Sequence, residues 1–209
     1  MRRIQFIPVF LALFITSCED NGEEPGIIVA EELIASGWVN FESEDYSAAV
    51  GDFNLALDED STALEAYSGI GWSQIRLDQI DSAQINFIVA LDRNYAGKEI
   101  LAGLAAISLA NEEYTIAIVH AKSILSIDAD WVFEHDNSID FNDLWLIVAI
   151  AYFHEGDFTE MEAAILNIDS TYSIDENDSA TWIVGSNSFN SYQEAVAAYL
   201  QQIGGDLTI

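Results

Sequence analysis

Groups able to do chemistry are few in kind in this chain of 209 residues: three histidines, one cysteine, and 36 acidic side chains against 6 basic ones. His120, His135 and His154 share no short spacing that would gather them on a metal or set one beside a nucleophile, and no glycine-rich phosphate loop occurs. His154, with Glu155 and Asp157 close behind, reads as a solvated helix end. Oxygen ligands do cluster, at DEDS from Asp58, DADW from Asp128 and DENDS from Asp175. None has the internal glycine and distal glutamate of a calcium-binding EF-hand loop, so turns and helix N-caps are their expected use. No catalytic residue, cofactor or metal site is expected. The chemistry left open is recognition through charge and apolar surface.

Cys18 has no second cysteine with which to form an internal disulfide. It stands in FITSCED, where an apolar run gives way to acids. Met1, Arg2 and Arg3 make a short cationic start, residues 4–15 an apolar stretch, and Thr16 and Ser17 a pair of small residues at a cleavage position. That order belongs to a secretory signal peptide over residues 1–17, and its apolar stretch is short for a permanent membrane span. Ile15-Thr16-Ser17-Cys18 resembles the bacterial lipobox. The resemblance implies cleavage before Cys18, acylation of its sulfur, and a protein anchored by lipid in a bacterial cell envelope, on the periplasmic or surface face of the outer membrane. Two or more acyl chains hold a protein at a bilayer where one does not. Residues 18–27 are polar and acidic, carry glycine and proline, and read as a tether. Acids directly after the cysteine are similar to the surface-export signals of Bacteroidetes lipoproteins.

The formal net charge is −30, and beyond residue 17 the cations are Arg76, Arg93, Lys98 and Lys122. Such a field repels nucleic acid and anionic headgroups, so no nucleic-acid partner is expected, and membrane contact is expected through lipid on Cys18 alone. Cationic partners are favoured. An acid-rich, lysine-poor surface would also serve solubility in a saline habitat. With 51% hydrophobic residues the chain can bury a core of ordinary size in one domain.

Helices must position whatever these surfaces recognise. Proline occurs only at Pro8 and Pro25, and alanine, leucine, isoleucine and glutamate dominate. Residues 30–63 and 64–97 superpose at an interval of 34: Gly37 on Gly71, Trp38 on Trp72, Ala49 on Ala83, Phe53 on Phe87, Ala56 on Ala90, Leu57 on Leu91. Ala105, Tyr114, Ala117, Ala121 and Leu125 keep the register through 98–131. A fourth unit, 142–173, keeps Ala149, Tyr152 and Ile168 but has Met161 and Ile165 where alanine and an aromatic are expected. An insertion over 128–141 separates it from the third; Trp131, Phe133 and Phe141 there would cover an exposed helix end or form a partner-facing lip. In the polar linker and capping segment, 174–209, Tyr192, Ala195, Val196, Tyr199, Leu200 and Ile203 share one helix face, as a cap for the stack requires.

These small and aromatic positions resemble the tetratricopeptide repeat. The fold implied is all-α: a solenoid of about four antiparallel helix pairs, residues 28–173, plus a C-terminal capping helix. Gly37 should then cross close to Ala49, with Tyr46 and Phe53 filling the space beside. The resemblance also implies a concave face lined by the first helix of each pair, at repeat positions two, five, nine and twelve. These are Glu31, Glu65, Glu99 and Asp143, then Ile34, then Trp38 and Trp72, then Phe41 and Ile75. A carboxylate row beside an apolar, tryptophan-bearing strip suits a protein or peptide partner with basic and apolar residues. The same glutamates would also favour the helix dipole, and the tryptophans can pack between repeats. The lysine, asparagine and arginine of the carboxylate-clamp subclass are missing from this face. The expected function is thus a non-catalytic, lipid-anchored interaction scaffold; a small-ligand or glycan-binding accessory lipoprotein and a component of an outer-membrane assembly machine are the alternatives.

Overall fold

In a computed structural model, which describes residues 25–204, the chain is built of α-helices paired in sequence order. The first pair is α1 (Pro25–Glu42) and α2 (Tyr46–Glu59), the second α3 (Glu65–Arg76) and α4 (Ile80–Asp92). Then come α5 (Lys98–Ala110) with α6 (Tyr114–Ile127), and α7 (Phe141–Glu155) with α8 (Phe158–Ile168). Each helix packs on the next, and α1, α3, α5 and α7 also touch in succession, forming an inner row. The result is an all-α solenoid closed by a C-terminal helix, α9 (Tyr192–Ile203). Among the described residues no helix is long and apolar enough to cross a membrane. The expected signal peptide, Cys18 and most of the expected tether lie outside the described residues. Pro25 and Gly26 were expected in the tether but begin α1; proline fits the first turn of a helix, where its missing N–H has no partner to lose.

The turn inside each pair places one residue in the left-handed region: Glu44 (φ 63), Asp78 (φ 59), Glu112 (φ 61) and Gly156 (φ 78). The first three are 34 residues apart, so the period is a backbone period as well as a side-chain one. Polar pairs tie the two helices of a unit at equivalent places: Asn40 Nδ2 donates to Asp52 (2.9 Å), and Asn86 Nδ2 to Gln74 (2.9 Å).

The close approach at the core is built around an aromatic ring. The ring of Phe53 on α2, wholly buried, is wedged between Gly37 of α1 and Gly69 of α3. A Cβ on Gly37 would fall 2.6 Å from the ring, one on Gly69 only 2.2 Å. Gly37 therefore makes room for an aromatic plug, with the Phe53 ring filling the space beside it. Phe87 sits in the same way between Gly71 and Gly103. Each phenylalanine thus joins its own pair to the next.

Past α8 a single 3-10 turn (Ser179–Thr181) and a hairpin, β1 (Ile183–Val184) against β2 (Asn187–Ser188), lead to α9. Two phenols fasten that helix: Tyr192 donates to Glu162 and Tyr199 to Asp169, each at 2.7 Å. Burial, reinforced by these carboxylates, pushes the phenols up, and burial raises Tyr172, whose ring meets that of Tyr199, to about 12. Folding favours the protonated forms, so this stability is whole below the unfolded phenol value of about 10. It is lost as pH rises from there through 12. Alkaline titration should therefore show tyrosinate absorbance from these residues rising together with loss of helical circular dichroism. Three phenols ionising near pH 10 with the helix signal intact would refute the account.

Candidate functional site

The insertion is the part of the chain that departs from the repeat. After α6, residues 128–140 leave the stack and run back across α1 and α3. Val132 bridges Asp140 in antiparallel fashion, and the Phe133 N–H donates to the Ile139 carbonyl (2.9 Å). Asp136 closes the tip by accepting from the Ser138 N–H (3.1 Å) and hydroxyl (2.6 Å). Asp140 then caps α7 in a reciprocal box with Asp143. Over residues 131–133 the chain is extended, with Trp131 and Phe133 buried and Val132 exposed; a turn in which the Asp136 N–H donates to the Phe133 carbonyl (3.2 Å) then leaves Glu134 exposed and brings His135 inward.

The inward side chains fill the strip expected to face a partner. The Phe133 ring stacks on Trp72 (centroids 4.7 Å apart) and meets Trp38 and Phe41 edge-on at 6.1 and 6.0 Å. His135 lies flat on Trp38, at 3.7 Å and 4° from parallel, while its Nδ1 contacts Glu42 at 2.8 Å. Asp136 forms an ion pair with Arg76 at the end of α3. Burial alone would raise the Asp136 carboxyl, but the Ser138 hydroxyl and N–H and then the Arg76 guanidinium hold it below the ordinary value. The two tryptophans are consequently only 6% and 0% exposed. The insertion thus neither stands out as a lip nor merely covers a helix end: it occupies the inner row.

The indoles also link the units. Trp38 Nε1 donates to the carboxylate of Glu65, and Trp72 Nε1, one repeat later, to the backbone carbonyl of Glu99, both at 3.0 Å. The four cations beyond residue 17 have comparable uses. Besides the Arg76 pair, Lys98 pairs with Asp128, Arg93 donates to the Ser61 carbonyl and lies over the Tyr67 ring, and Lys122 reaches Tyr152 and Glu160.

Of the residues singled out by sequence, the fold brings Glu31, Ile34, Trp38, Glu65 and Glu99 to the open space left beside the insertion. A cleft of about 500 Å³ runs past Glu31, Ile34, Trp38, Val39, Glu42, Glu65 and His135. A neighbouring one of about 310 Å³ includes Glu31, Ile34, Glu65 and Tyr95, and a third of about 180 Å³ includes Trp38, Glu65, Glu99 and Glu134. Glu65 borders all three. Phe41 and Trp72 are under the insertion and Ile75 is buried in the core. Asp143 is apart from this group: its carboxylate accepts the Asp140 N–H (2.8 Å) at the start of α7, and burial raises its pKa. The sequence reading had placed it in the groove as a repeat equivalent of Glu31; the capping demands of a helix entered from an insertion, instead of from a short turn, direct it elsewhere.

A comparison with protein-family models finds no match, and neither does a comparison with curated proteins.

The histidines serve three unrelated places. His135 is on Trp38, His154 stacks on Tyr114 (4.7 Å, 1°), and His120 is half-buried on α6, where burial lowers its pKa. The oxygen clusters are engaged locally or by a cation: Asp60 takes the N–H and hydroxyl of Thr62, Asp128 pairs with Lys98, and Asp175 takes the N–H of Asn177. Among the described residues no group of three or more His, Cys, Asp or Glu side chains is arranged to hold a metal ion. Phe133 and His135 were missed as parts of this face. Phe133 carried a short signal, the period-two spacing of the aromatics in WVF inside a chain otherwise written in helical periods; His135, in the turn after it, carried none.

Proposed function

We propose that the chain is a non-catalytic interaction scaffold of the tetratricopeptide kind, anchored through lipid on Cys18 in a bacterial cell envelope, which binds a protein or peptide partner along its inner helix row. The observation that supports this reading is the seating of residues 131–135. An extended stretch, residues 131–133, and the turn that follows it seat Phe133, His135 and Asp136 on α1 and α3 by stacking and an ion pair, so the face has the groups to hold a peptide. Beside the segment, Glu31, Glu65 and Glu99 line open clefts, and a net charge of −30 draws basic partners toward them. An outer-membrane assembly machine is one setting in which such a scaffold would work. No observation favours a sugar: Trp38 and Trp72, the rings a glycan would stack on, are covered by the insertion.

Site-directed photo-cross-linking of the full-length chain in cells tests the reading. Val39 borders the large cleft and is 60% exposed; Ile85, on α4, is 62% exposed and borders none of these clefts. A cross-linking residue at 39 should capture one discrete partner, one at 85 should not, and a Glu31→Lys, Glu65→Lys variant should lose the capture. Cys18→Ser should release the protein from the membrane fraction. Equal capture from both positions, or none from 39, rules out the inner row as the binding face.

A further inference from the structure

The smallest of the three clefts is built differently from its neighbours. It measures about 180 Å³, below the roughly 300–1,000 Å³ typical of small-molecule sites. Its walls are Trp38, Tyr95 and His135, with carboxylates from Glu65, Glu99 and Glu134. These acids come from three different elements, α3, α5 and the insertion. Because Trp72 bonds the backbone of Glu99 and not its side chain, the Glu99 carboxylate is left without a hydrogen bond or ion pair among the described residues. Glu134 is in the same condition, and Glu65 has given one oxygen to Trp38. Lys98 and Arg76 form their ion pairs with Asp128 and Asp136, and Lys98 reaches Glu99 only through its field. Like charges gathered in a half-closed cleft are unfavourable until a counter-charge arrives.

Ser68 supplies an independent sign. It lines the same cleft, is 3% exposed, and its hydroxyl has no hydrogen-bond partner among the described residues. A buried hydroxyl of that kind costs stability unless something bonds it. Nor do the carboxylates converge as metal ligands do. Burial, and then the charges of Glu65 and Glu99, raise the Tyr95 phenol, so it stays neutral beside them.

We propose that this cleft is a specific site for one arginine side chain of the bound partner, a deepening that rests on the inner row being the partner face. Acceptors spread over separate walls match a planar fork of five N–H donors better than a compact ammonium. Glu99 and Glu134 receive N–H groups, Ser68 Oγ accepts one more at the base, and the Tyr95 ring offers a face on which a guanidinium stacks.

The test is titration of the full chain with N-acetyl-arginine amide, followed at the tryptophan indole N–H resonances. The Trp38 resonance should shift, with a dissociation constant on the order of 1 mM, and that of Trp131 should not. The lysine and citrulline amides should bind at least about tenfold more weakly, and Glu99→Gln should weaken the arginine amide about tenfold. Equal binding of citrulline, equal binding of lysine, or no shift at Trp38 overturns the proposal. If the arginine amide fails while position 39 still cross-links a partner, the cleft assignment falls and the scaffold reading stands. If it binds while cross-linking fails, the arginine site stands and the partner face falls.

Discussion

Replacing Phe133 by alanine is expected to lower the stability of the protein by about 3–5 kcal/mol, the range for deleting a fully buried aromatic ring. The ring has no exposed surface and touches Trp38, Phe41, Trp72 and Trp131. Nothing nearby can move in to replace it, because Trp38 and Trp72 are held in place by hydrogen bonds to Glu65 and Glu99. Two responses are possible, a dry cavity between three indoles or release of the insertion, and only the second exposes tryptophan to water. Urea unfolding should show a lower midpoint in either case, and a red shift of the native emission marks release. A loss under about 1 kcal/mol, typical of a surface change, would mean that the insertion rests on the face without being packed into it. Phe133→Leu, which keeps most of the volume, should cost distinctly less.

Gly69→Ala should also destabilise, by about 1–3 kcal/mol, although alanine is the better helix former by roughly 1 kcal/mol. The new methyl would meet the Phe53 ring at 2.2 Å, and that ring is closed in on its other side by Gly37. Gly51 on α2 is the control: a Cβ there meets nothing within 4 Å, so Gly51→Ala should raise stability by about 0.5–1 kcal/mol. Thermal or urea unfolding of the two variants separates steric from conformational effects. Phe53→Leu should return part of the loss in the Gly69→Ala background, giving a coupling energy in a double-mutant cycle. If Gly69→Ala were as stabilising as Gly51→Ala, the ring would not be the spacer between the first and second units.

The interval of 34 was legible because small, apolar and aromatic side chains recur at it; that the turn residues Glu44, Asp78 and Glu112 take positive φ at the same interval is seen only in the fold. Phe53 and Phe87 were visible as repeated aromatics. What was not visible is that each is shared between consecutive units, since a one-dimensional overlay of units says nothing about neighbours. The carboxylates Glu31, Glu65 and Glu99 could be placed together because one repeat rise separates them. The destination of the insertion could not be read in this way. Its anchors are Arg76, sixty residues from Asp136, and Glu42, ninety-three from His135, and no local rule reports contacts at that distance. Asp143 misled for a related reason: equivalence by count assumes that each helix is entered as its counterparts are, and α7 is entered from a loop that needs capping. Ser68 carries no signal in the sequence, because a hydroxyl without a partner is a property of the fold and not of the residue type.

A stack of helix pairs joined only to neighbours behaves as a spring: each junction can flex, and units can peel from an end in turn. Residues 131–136 change that mechanics. They tie the segment leading into the fourth pair to the first and second, so the insertion acts as a strut across the coil. Contacts of long sequence separation close a large loop, which slows assembly but makes the first pairs open together with the insertion. A load applied along the inner row is then carried by Phe133, His135 and Asp136 as well as by the helix junctions, so the first three pairs, which the strut spans, bend less than a stack joined by its junctions alone.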